Sequence, residues 1–144
     1  MPCRDFDLPR NDEKWLQIEK PSFSRLFLPA SNLQKMNPAF FDTVFHGPAP
    51  EGGWPEVFVV VTACNPRDEA TDEESNLAAN VKLAEVLRRE GRRFGPMTGA
   101  SPDGGHRETG FWADAGLRLG LALGKRFGQV AVFLVENGVI SVVP

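Results

Sequence analysis

The pattern of apolar and polar positions becomes regular near residue 56. Val57-Phe58-Val59-Val60-Val61-Thr62 is apolar on both alternating faces and rich in β-branched side chains, as a central strand requires. Thr71-Asp72-Glu73-Glu74 has the spacing of a capping box and predicts a helix over 72–90. On that helix Asn76, Asn80, Leu83 and Leu87 share one face, and Glu74, Lys82, Glu85 and Arg89 share the other. Gly91 stands where a left-handed C-terminal residue is wanted. Residues 92–98 read as a second strand, 99–105 as a glycine-rich loop and 108–112 as a third strand. A second helix is predicted over 114–127, with Gly116, Gly120 and Gly124 on one stripe. An interior glycine costs roughly 1 kcal/mol relative to alanine, so close approach of that stripe to a sheet is the expected compensation. Residues 129–135 and 139–143 are apolar strands joined through Asn137-Gly138, the strongest short hairpin signal.

Before residue 56 the pattern is broken. Eight of the twelve prolines fall in the first 55 residues, together with six of the eleven phenylalanines, Phe6, Phe23, Phe27, Phe40, Phe41 and Phe45. Prolines oppose long regular elements, and so many aromatics oppose a disordered tail. Residues 1–50 are therefore expected to be an irregular arm packed on a single α+β domain spanning 51–144. Asn37-Pro38 predicts one short turn through Phe41, and Thr43 to His46 an edge strand.

The element order β-α-β-β-α-β followed by a hairpin strand is that of a split β-α-β, ferredoxin-like architecture with one additional C-terminal strand. A three-layer α/β arrangement with a mixed sheet is the alternative. In the first arrangement the strand directions bring five places to one end of the sheet. These are the exit of the first strand, the start of the first helix, the glycine-rich loop, and the starts of the third and fourth strands.

Composition narrows the class of function. The chain has 144 residues, 42% hydrophobic and 24% charged, with a net charge of −3, which fits one ordinary globular domain. No broad electrostatic attraction to nucleic acid or to a membrane surface is expected. The arginines at 88, 89, 92 and 93 stand among acidic residues and read as a solvated face. The two cysteines, Cys3 and Cys64, cannot build a disulfide framework, and the polar first residues predict no secretory leader. A cytoplasmic location follows as the expectation.

The candidate chemistry lies at the shared end of the sheet. Thr62, Asn65, Asn76, Asn80, Asp103, Glu108 and Gln129 are the candidate ligand-binding residues, because four separate elements deliver their polar groups to one region. His106 and Glu108 are the candidate catalytic pair, a loop histidine beside a carboxylate. The competing account is structural: buried asparagines tie down the loop after the first strand, because buried polar groups are paired. A metal centre is not expected, since the ligand count is low. Nothing in the sequence identifies a cofactor.

Val60-Val61-Thr62-Ala63-Cys64-Asn65-Pro66, followed by Glu74-Ser75-Asn76 and Asn80, resembles a family of small bacterial proteins of unknown function known as DUF3293. The resemblance continues through Gly99, Asp103, Glu108 and Gly110 to Phe127-Gly128-Gln129-Val130-Ala131. It covers about residues 57–135 and departs at Cys64, where an aromatic residue is usual. It implies no established reaction. The function expected from these readings is small-molecule binding in a polar pocket at the carboxyl end of the first strand. The alternatives are an assembly module, a homo-oligomer among its forms, built on the Phe-rich arm and edge strand, and a small hydrolase using His106 and Glu108.

Overall fold

The computed structural model of the protein describes residues 38–144. A 3-10 turn at Pro38–Asp42 leads into strand β1 (Val44–His46). Then come β2 (Val57–Val61), helix α1 (Glu73–Arg89), β3 (Phe94–Ala100), β4 (Arg107–Ala113), α2 (Leu117–Arg126), β5 (Val132–Glu136) and β6 (Val139–Val143). Residues 1–37, most of the expected arm, lie outside the described residues.

The strands form one sheet in the order β1-β3-β4-β2-β5-β6, and every neighbouring pair is antiparallel. The expected ferredoxin-like architecture does not hold: among the described residues six antiparallel strands curl into a half-barrel, mostly β with two helices. A mixed sheet is excluded by the same pairings. Two features produce the difference. β1 adds to the outer edge of β3 in the register Val44↔Ala100 to His46↔Thr98, while β6 extends the sheet beyond β5. The face away from the helices also carries its own apolar cluster, which an open two-layer sheet would leave wet.

That second cluster follows from the period-2 pattern of the strands. Val59 and Val61 face the helices with Leu83, Leu87, Leu123, Val132 and Leu134. Phe58 and Val60 face the other way, with Phe45, Met97, Trp112, Val135 and Ile140. The apolar character of β2 on both faces therefore reports two cores, one under the helices and one on the inner side of the curl. Gly95 and Gly110 permit close approaches within the curled sheet. A Cβ at Gly95 would lie 2.7 Å from Trp112 Nε1, and one at Gly110 would lie 2.5 Å from the Val61 carbonyl oxygen.

Several elements sit one to three residues from their expected bounds. Helix α1 is capped by Asp72 rather than Thr71, with the Asp72 carboxylate accepting from the Ser75 N–H at 2.8 Å. Helix α2 begins at Leu117, so Gly116 is its N-cap and only Gly120 and Gly124 are interior. The hairpin forms where Asn137 (φ 50) and Gly138 (φ 80) demanded it, both in the left-handed region of a type I′ turn.

Candidate functional site

The antiparallel directions bring the exit of β2, the start of α1, the β3–β4 turn and the approach to β5 to one end of the sheet. The turn leaving β2 is the centre of this end. Asn65 (φ 47), Arg67 (φ 61) and Asp68 (φ 57) all adopt left-handed backbone conformations. Each is costly for a residue with a Cβ, and such a turn persists only when its surroundings over-determine it.

Side chains supply that constraint. Asn80 Oδ1 accepts the Ala63 N–H at 3.0 Å, and Thr62 Oγ1 accepts the Cys64 N–H at 3.0 Å. Asn76 Oδ1 accepts the Asn65 N–H at 2.8 Å. The Cys64 carbonyl accepts from Gln129 Nε2 at 3.0 Å, and the Gly128 carbonyl accepts the Arg67 N–H at 2.7 Å. Asn80 Nδ2 and the Thr62 hydroxyl both donate to the Thr109 carbonyl on β4, at 3.0 and 2.6 Å. Asn65 completes the set: its Oδ1 accepts the Thr71 N–H and Asn76 Nδ2, each at 3.0 Å. Asn65, Asn76 and Asn80 are all buried. The helix face bearing Asn76 and Asn80 thus acts as a mould for the backbone of residues 63–65.

Asn65 Nδ2 leads from this network toward the open end, donating to Glu108 Oε1 at 2.7 Å. His106 Nε2 lies 3.4 Å from the same oxygen, with the His106 side chain 59% exposed and that of Glu108 21% exposed. Glu108 borders a cavity of about 280 Å³ on the sheet face away from the helices. Thr43, Thr62, Asp68, Ser101 and His106 add polar groups to its lining. Phe40, Phe45, Val60, Met97, Ala131 and Phe133 supply most of the rest. The rings of Phe40 and Phe45 meet Phe133 edge-on, with centroids 6.5 and 4.8 Å away.

The expected site residues therefore divide. Thr62, Glu108 and His106 line the cavity. Asn65 touches it through Glu108, whereas Asn76, Asn80 and Gln129 engage the turn behind it. Asp103 stands apart in the exposed β3–β4 turn, accepting from Ser101 Oγ at 2.6 Å and the Gly105 N–H at 2.9 Å. Those two bonds, the hydroxyl first, hold its carboxyl below the usual aspartate range. Sequence reading overlooked Asp68 and the apolar wall. The wall had a signal, the excess of phenylalanine before residue 50, but not the direction from which those rings would arrive.

Residues 61–132, half of the chain, match the family model described as protein of unknown function, DUF3293. No curated protein and no solved structure matches the chain. Among the described residues no helix is long and apolar enough to cross a membrane.

Proposed function

The chain belongs to the DUF3293 family, and from that premise we propose that it binds a small molecule in the cavity at the carboxyl end of β2, in the cytoplasm. The compartment rests on the composition and net charge set out above. The observation that carries the binding reading is the cavity itself: an apolar enclosure closed at one end by a half-buried carboxylate that the Asn65 amide holds in place. An apolar hollow with a few fixed polar groups is the usual form of a small-ligand site. In this reading Glu108 and Thr62 meet the ligand and Asn65 positions Glu108. Asn76, Asn80 and Gln129 hold the turn on which Asn65 stands.

A thermal-shift screen of metabolites tests the proposal, because a ligand at a hundred times its Kd stabilises the native state by about 2.7 kcal/mol. Ala131 lines the cavity, and Ala131→Phe fills it. Hits that stabilise the wild type and leave a folded Ala131→Phe variant unshifted support binding in this cavity. Hits that shift both proteins equally place binding elsewhere and refute it.

A further inference from the structure

We propose that α1 is the contact surface of a homodimer, in which two copies of the chain pair this helix antiparallel across a two-fold axis at Val81. The proposal stands apart from the cavity and depends on no ligand.

The seam is a feature of the helix sequence. Asn76, Asn80, Leu83 and Leu87 make up its buried face. On another side Glu74, Val81 and Arg88 recur every seven residues, with Leu77 and Ala84 between them, the spacing of a helix-to-helix seam. Among the described residues four large hydrophobic side chains are exposed, and two of them lie on this seam one turn apart, Leu77 at 47% and Val81 at 51%. Single exposed apolar residues are ordinary. Two on one stripe, with a charge beyond each end, have the apolar centre and polar rim of a small interface.

Charge selects the partner. Glu74 stands seven residues before Val81 and Arg88 seven after it, each about 10 Å away along the axis. An antiparallel copy centred on Val81 therefore sets each Glu74 level with the other copy's Arg88, whereas a parallel copy would oppose like charges. Both residues are exposed, and neither is in an ion pair among the described residues. The Arg88 guanidinium lies 5.7 Å over the Phe94 ring, a contact that leaves its edge N–H groups able to meet a carboxylate. At the centre Val81 meets its own counterpart, as a self-complementary patch requires. Each Leu77 then packs beside Ala84 and the apolar stem of Arg88 in the other copy. One helix pair covers less than the roughly 1,600 Å² of a standard interface, so the dimer is weak and reversible.

Sedimentation equilibrium of the full chain, over about a hundredfold range of concentration, tests the proposal. The wild type should pass from monomer to dimer within that range, and Val81→Glu should raise the dissociation constant about tenfold or more. Glu74→Arg and Arg88→Glu should each weaken association, because each turns two attractive contacts into repulsive ones. Together in one chain they restore the antiparallel match, and the double variant should associate within about threefold of wild type. Circular dichroism confirms that each variant is folded; if one is not, added salt must weaken the wild-type dimer by screening the same pairs. A wild type that stays monomeric overturns the proposal. A dimer that is indifferent to Val81→Glu, or one whose double variant is weaker than either single variant, overturns it too. If Val81→Glu instead abolishes binding of a different protein to a monomeric chain, the face belongs to that partner and the proposal falls.

Discussion

At the scale of single residues, the asparagines carry more of the structure than their polarity suggests. Asn80 has one oxygen on the Ala63 N–H and its nitrogen shared between the Thr109 carbonyl and hydroxyl. Replacing it by alanine orphans a buried donor, and such a loss costs about 1–3 kcal/mol. Asn80→Ala should lower the urea midpoint accordingly, whereas Gln129→Ala, which frees only a half-buried carbonyl contact, should cost less. Equal effects, or none at Asn80, would mean that the turn is held by its own backbone. His46 gives a pH signature of definite sign. Burial, and then the nearby Arg107, lower its pKa from 6.5. The unfolded chain therefore takes up the proton first as pH falls, so this contribution is complete above 6.5 and is lost below it. Thermal melts from about pH 7 to about pH 5 should fall more steeply for wild type than for His46→Gln. Parallel curves would remove His46 from the acid response.

At the scale of elements, the glycines of α2 separate into two kinds. A Cβ at Gly120 would stand 2.8 Å from Val59 Cγ1, and one at Gly124 would stand 2.7 Å from Val132 Cγ1. These two positions let the helix lie close against β2 and β5. Gly116, at the N-cap, meets nothing within 4 Å. Gly120→Leu should therefore overpack the interface and destabilise by about 1–3 kcal/mol or more in chemical denaturation, with Gly116→Ser neutral or favourable. A Gly120→Leu protein that melts like wild type would contradict the packing. Periodicity placed Gly120 and Gly124 on the sheet side, and Gly116 does not reach it. It could not tell a cap from an interior position, because the choice between Asp114 and Leu117 as the first helical residue depends on where β4 releases the chain.

At the scale of the molecule, β2 is flanked by β4 and β5 and covered by an apolar cluster on each face. β1 and β6 stand at the two edges of the sheet. Local opening follows this layout, because amides at edges exchange without breaking the core. Hydrogen exchange should be slowest at Val59 to Val61 and faster at Val44 to His46 and at Ile140 and Val142. Protection at the edges equal to that of β2 would indicate that something pairs with them in solution. The same layout explains why the cavity lies where it does. The curl gives the inner face a concave side, and the rings from residues 40 and 45 reach it because β1 docks on β3.

What the sequence by itself determined is local and directional. Runs such as Val57 to Val61, the acidic start of α1, the glycine stripe and Asn137-Gly138 each specify an element through its own period or turn chemistry. The strand directions then follow, and with them the meeting of Asn65, Asn76, Asn80, Glu108 and Gln129 at one end. Tertiary structure decided the rest. Whether an apolar face of β2 meets helices or the inside of a curl depends on how many strands the sheet recruits, and three residues at Val44 to His46 carry little signal for that. Whether an asparagine faces a ligand or a backbone amide depends on the turn it packs against. Left-handed Asn65, Arg67 and Asp68 leave the N–H groups of Ala63 and Asn65 needing acceptors. Buried donors must be paired, so the amides of Asn76 and Asn80 went to the backbone and Glu108 was left to border the open space.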